Sequence, residues 1–130
     1  MTKPRILVID DEESIRFTLQ NYLGQFGYEV ITADNPQVCS SLRDNRPCTR
    51  TGSCVDVVLV DLHMPVTDGL AYLESRIRYG CPNLARRMAL MSGNPSQEVK
   101  ERVRETGAAC FQKPVPLTEI HAWIVQVTAE

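Results

Sequence analysis

Ile6-Leu7-Val8-Ile9-Asp10-Asp11 sets four aliphatic residues, without a break, against two acids. A short unbroken apolar run reads as a strand buried on both faces, because a half-exposed strand would alternate. The pattern recurs: Val57-Val58-Leu59-Val60 runs into Asp61, Met88-Ala89-Leu90-Met91 into Ser92, and Cys110-Phe111 leads to Lys113-Pro114. If these runs are parallel strands, the residues that close them gather at one edge of one sheet. That is the carboxyl edge, where open α/β folds bind ligands.

Between the runs lie helical stretches. The first helix is expected to start near Glu13 or Ser14, with Ile15, Leu19, Tyr22, Leu23 and Phe26 inward and Gly27 as its stop. Tyr28 to Ala33 reads as strand two. Asn35-Pro36 reads as a cap followed by a first-turn proline, opening a short helix with Val38, Cys39 and Leu42 inside. Asn45 to Cys54 reads as a loop. Val55 to Val60 is strand three; Met64 to Asp68 is a loop before a helix over Gly69 to Tyr79, ended by Gly80 and Pro82. Arg87 to Met91 is strand four. Asn94-Pro95 repeats the cap signature, and Gly107 closes that helix. Ala109 to Gln112 is strand five, and Pro116 to Val127 the last helix. Five alternations of strand and helix predict a parallel sheet covered on both faces.

At 130 residues the chain suits one domain, with a core over about 4–127 and no second domain. Fourteen basic residues against sixteen acidic ones give a net charge of −2, which offers nothing to nucleic acid. No apolar run approaches the roughly 18 residues that cross a bilayer. The basic start, Met1 to Arg5, meets acids after only four apolar residues and does not read as a signal peptide. Five cysteines, an odd number, point to free thiols and a cytoplasmic location.

Carboxylates at neighbouring strand ends repel one another, and at least one should have a raised pKa unless a cation intervenes. Mg²⁺ takes oxygen ligands, keeps several waters and binds one or two carboxylates plus phosphate oxygens, so Asp10, Asp11 and Asp61 suit it. Lys113 adds a mobile positive charge and Ser92 a hydroxyl donor. An aspartate can also attack phosphorus and become an aspartyl phosphate. One such acid would be an ordinary solvated strand end; three, with Ser92 and Lys113 at matching ends, form a hard-cation and phosphate site.

At these residues the chain resembles the receiver domain of bacterial two-component response regulators. The resemblance rests on Ile6 to Glu13, on Asp61-Leu62-His63-Met64-Pro65 with Asp68-Gly69, on Ser92-Gly93 and on Lys113-Pro114, in this order. It implies a flavodoxin-like, five-stranded doubly wound (βα)5 sheet of order 2-1-3-4-5. It implies that Asp61 is the phosphoacceptor, served by a sensor histidine kinase or a histidine phosphotransfer protein. Asp10, Asp11, Asp61 and the backbone carbonyl of His63 would hold Mg²⁺. Ser92 and Lys113 would engage the phosphoryl group, and Lys113-Pro114 would be cis. A downstream effector or a second copy would meet the face built from the helix after Pro95, strand five and the last helix.

Two departures stand out. The family carries Tyr or Phe three residues before the lysine; here that residue is Cys110, and Phe111 follows it. Either Phe111 takes the aromatic role through a local shift or the switch runs without an aromatic; the lysine register, fixed by chemistry, favours the second. Asn45 to Ser53 is also longer than usual. Cys48 and Cys54, a redox pair or half a metal site on one reading, lack Cys-x-x-Cys spacing and read better as idle thiols.

His63, two residues past Asp61, is open to three readings: a base for hydrolysis, a shield over the phosphoryl group, or an exposed rim residue. His121 is expected at the surface, and Trp123 in the partial core or at an interface. The helix after Pro95 has only Val99 and Val103 as large apolar residues and should shift easily. Two other functions compete with the signalling switch. An aspartate-nucleophile phosphatase would want a second Asp where His63 stands and a cap domain to hold its substrate. A phosphorylation-independent docking module would need no acceptor, acids or lysine. A dinucleotide site fits poorly, because Asp-Asp-Glu-Glu follows strand one where glycines would be needed.

Overall fold

The computed structural model describes residues 4–35, 55–64, 68–78 and 86–129. Among them, β1 (Arg5–Ile9), β2 (Glu29–Ala33), β3 (Val57–Asp61), β4 (Met88–Ser92) and β5 (Ala109–Gln112) form one parallel sheet of order β2-β1-β3-β4-β5. Four helices accompany them: α1 (Glu13–Gly24), α2 (Gly69–Arg78), α3 (Gln97–Thr106) and α4 (Leu117–Thr128).

Side chains of the central strands alternate between two cores. Leu7, Ile9, Val58, Val60, Met88 and Leu90 pack with Leu70 and Leu73 of α2 and Val103 of α3. Ile6, Val8, Val57, Leu59, Ala89 and Met91 pack with Leu19 and Leu23 of α1 and Ile120 and Ile124 of α4. Every residue of β3 and β4 is buried, which explains their unbroken apolar runs. Strand order reverses at β1, with β2 on one side and β3 on the other. A crevice therefore opens above the carboxyl ends of β1 and β3.

Several boundaries differ from the sequence reading. Strand three runs Val57–Asp61, not Val55 to Val60, and strand four Met88–Ser92, not Arg87 to Met91. The ladder decides both ends: the Leu62 N–H donates to the Met91 carbonyl and the Lys113 N–H to the Ser92 carbonyl. Asp61 and Ser92 are thus the last rungs of their strands. The first helix stops at Gly24, and Gln25, Phe26 and Gly27 form a turn ending with Gly27 at φ 89°. Phe26 is accordingly not inside but 41% exposed. The cap of α3 is Ser96, whose Oγ accepts the Val99 N–H at 3.2 Å; Asn94 is held back by its N–H bond to Ser92 Oγ. Gly107, at φ 90°, closes α3 as expected.

His121 is not a free surface residue. Its ring stacks on Phe26 at 3.8 Å and meets the edges of Tyr22 and Tyr28, tying α4 to the turn after α1. Trp123 is half-buried and meets Phe111 edge-on at 5.7 Å. The expected helix after Pro36, the loop Asn45 to Cys54 with Cys48 and Cys54, and the Gly80/Pro82 stop lie outside the described residues.

Candidate functional site

Asp10 and Asp11 follow β1, Asp61 ends β3, Ser92 ends β4, and Lys113 follows β5. Burial there is deep: Asp10 and Ser92 are fully enclosed and Asp61 is 4% exposed. Asp11 and His63 face solvent. Lys113 Nζ lies 3.0 Å from Asp10 Oδ2 and 3.0 Å from Asp61 Oδ1, bridging two strand ends. One carboxylate oxygen from each of Asp10, Asp11 and Asp61 falls within a 4.8 Å group. The structure thus brings all the acids, the lysine and the serine to one crevice. Lys113-Pro114 is cis.

Burial raises the pKa of Asp61 above its ordinary 3.8; the Lys113 hydrogen bond and charge oppose this, while Asp10 and Asp11 add to it. For Lys113, burial acts downward, yet hydrogen bonds and charge from Asp10 and Asp61 outweigh it and hold the amine above 10.5. One ammonium therefore does not balance three carboxylates. A further positive charge among these hard oxygen donors would relieve the deficit, so the residues fit a divalent ion of the Mg²⁺ type.

Three elements of the site were not foreseen. The Glu12 N–H donates to Asp10 Oδ1 at 2.9 Å, and Arg16 Nη1 donates to the Asp10 carbonyl at 2.7 Å. The Gly69 N–H donates to the Leu62 carbonyl at 2.8 Å. A Cβ on Gly69 would collide with the Asp61 carbonyl oxygen and reach 2.7 Å from Leu90 Cδ1. In sequence, Asp68-Gly69 announces only a helix start; the Asp68 carboxylate does cap α2 by accepting the Ala71 N–H at 2.7 Å.

Cys110 and Phe111 divide between the two faces of the sheet. Cys110 packs with the α2/α3 core and Phe111 with the α1/α4 core. A cavity of about 380 Å³ beside Cys110 is lined by Pro95, Gln97, Lys100, Glu101, Arg104 and Gln112.

Residues 6–125 match the family model described as the response regulator receiver domain. The chain belongs to the receiver domain family. This receiver domain is 41% identical over 76 residues to the transcriptional regulatory protein AruR of Pseudomonas aeruginosa, covering 58% of this chain and 30% of AruR. It is 35% identical over 114 residues to the sensor histidine kinase RcsC of Salmonella typhimurium, covering 86% of this chain and 11% of RcsC. It therefore spans less than a third of either relative. Among solved structures, the non-phosphorylated HemR receiver domain from Leptospira biflexa superposes with a TM-score of 0.76 at 26% identity, covering 98% of this chain and 96% of that one.

Proposed function

We propose that this receiver domain is a phosphoacceptor switch in a two-component relay, with Asp61 as acceptor. The observation that carries the reading is the Lys113 amine bridging Asp10 and Asp61 at 3.0 Å to each, with a carboxylate oxygen of Asp11 within 4.8 Å of one from each of those two acids. An Asp61 oxygen attacks the phosphorus of a phosphohistidine on a sensor histidine kinase or histidine phosphotransfer protein. The P–N bond breaks as the P–O bond forms, and the departing imidazole keeps the electron pair and takes a proton from solvent. Asp10, Asp11, Asp61 and the His63 carbonyl would hold Mg²⁺, which when bound offsets phosphoryl charge.

The chain's own groups do the rest. Lys113 exchanges a carboxylate partner for a phosphoryl oxygen. Ser92 Oγ, which accepts the Asn94 N–H at 3.3 Å, keeps its hydrogen to donate. His63 is exposed, two residues past Asp61. Phosphorylation then shifts an equilibrium between two arrangements of the α3/β5/α4 face, toward a downstream effector or a second copy. The family match favours this over a phosphatase or a phosphorylation-independent module. Among the described residues, no helix is long and apolar enough to cross a membrane.

Intact-mass measurement with Mg²⁺ and a small-molecule phosphodonor tests the reading. One alkali-labile phosphoryl group is expected, lost in Asp61→Asn and suppressed by chelation. Labelling that survives Asp61→Asn moves the acceptor elsewhere. Labelling indifferent to chelation removes the metal role of Asp10 and Asp11.

A further inference from the structure

We propose that Arg16 is a positioning residue for the cation subsite: by clamping the Asp10 carbonyl it fixes the peptide that aims Asp11. The inference rests on the reading that Asp10 and Asp11 hold a divalent ion.

Asp10 is held at four points. Its N–H donates to the Ala33 carbonyl of β2 at 3.1 Å. Its Oδ1 accepts the Glu12 N–H at 2.9 Å and its Oδ2 accepts Lys113 Nζ at 3.0 Å. Its carbonyl accepts Arg16 Nη1 at 2.7 Å. The first three orient Asp10 itself. The fourth acts on the next residue, because the Asp10 carbonyl and the Asp11 N–H share one rigid peptide plane. Fixing that oxygen fixes the plane from which Asp11 departs.

Asp11 needs this help. It is exposed, and its carboxylate has no hydrogen bond or ion pair among the described residues. Backbone geometry alone keeps it beside Asp10 and Asp61. Arg16 is well built for the task. Its own N–H donates to the Glu12 carbonyl at 3.2 Å, so its backbone is locked into the start of α1 while its side chain folds back over the turn. The short bond is charge-assisted, and the planar guanidinium holds its donor in a fixed direction.

Charge makes the sign of the test informative. A bystander guanidinium near a cation site repels the ion, so its removal would tighten metal binding. A positioning residue does the opposite. Mn²⁺ binding to the full chain, followed by the electron paramagnetic resonance of free Mn²⁺, distinguishes them. Wild type is expected to bind one Mn²⁺. Arg16→Met, which keeps an apolar stem, is expected to weaken binding about tenfold or more, the usual cost of losing a ligand-orienting partner. Arg16→Lys, which keeps one donor, should lose less. In phosphodonor labelling, Arg16→Met should need more Mg²⁺ while keeping its rate at saturation.

Equal or tighter Mn²⁺ binding in a folded Arg16→Met overturns the positioning role while leaving the cation reading intact. If that variant does not fold, a folded Arg16→Lys with unchanged affinity overturns it instead. Wild type that binds no Mn²⁺ overturns both.

Discussion

Cys110 and Phe111 are adjacent in β5 and look into opposite cores, Cys110 toward α2 and α3, Phe111 toward α1, α4 and the edge of Trp123 at 5.7 Å. The register Leu90↔Cys110 and Met91↔Phe111 fixes this, since successive strand residues alternate faces. The position three residues before Lys113 therefore holds a small side chain beside a cavity. Phe111 cannot fill that place without shifting β5 by one residue and turning its other side chains inside out.

Phe111→Ala is accordingly expected to act on stability and not on phosphoryl chemistry. A half-buried ring should cost ~2 kcal/mol, below the about 3–5 of full burial. Chemical denaturation measures the loss, and the emission of Trp123, the sole tryptophan, should shift to the red. Labelling of Asp61 by a small phosphodonor should persist; its disappearance would return Phe111 to the switch.

Lys113→Met leaves the fully buried Asp10 and the nearly buried Asp61 without their shared cation. Stability without metal should fall by about 3 kcal/mol, typical of a broken buried pair. Mg²⁺ should then stabilise the variant more than wild type, because the ion occupies a site relieved of a competing charge. Thermal denaturation against Mg²⁺ concentration provides the check; parallel curves for both proteins would refute it.

The raised pKa of Asp61, caused first by burial, has a definite sign. Between 3.8 and the higher folded value, the folded state binds more protons than the unfolded one. The contribution of Asp61 to stability therefore declines as pH rises through that window, and becomes a constant penalty above it. Only the ionised form attacks phosphorus, so labelling should fall on acidification with a midpoint above 3.8. Mg²⁺ should move that midpoint down. A pH series of intact-mass labelling, at limiting and at saturating Mg²⁺, reads both.

Gly69→Ala tests the fit behind the acceptor. Its new methyl meets the Asp61 carbonyl, backbone that cannot swing aside, and Leu90 at 2.7 Å. A cost of about 1–3 kcal/mol is expected, as for other overpacked cores. Because the displaced peptide belongs to Asp61, the proposed acceptor, labelling should slow as well. Wild-type stability and rate together would contradict the close approach.

Much of the site was legible before any coordinates. Apolar runs ending in Asp10, Asp61 and Ser92 could be read because a strand buried on both faces leaves no room for polar residues until it reaches its end. The positions where the reading slipped share a cause. Asp61 and Ser92 belong to their strands because Leu62 and Lys113 extend the ladder, and hydrogen bonds to neighbours leave no mark on local composition. Phe26 fell on the helical stripe by spacing, yet α1 stops at Gly24 and the ring caps His121 of α4.

Periodicity and residue chemistry thus sufficed for the α/β class, for the strand ends that carry the acids, and for the gathering of Asp10, Asp11 and Asp61 at one sheet edge, since each strand end is read from residues close in the chain. Contacts between distant segments settled the remainder: the Lys113 bridge across two strand ends, the small gap behind Asp61 that only a glycine fits, and the opposed faces of Cys110 and Phe111. The Arg16 clamp on the Asp10 carbonyl also belongs here, although only a turn separates the two residues. A side chain reaching backbone is invisible to patterns of hydrophobicity and charge, and its geometry exists only once helix and strand have docked.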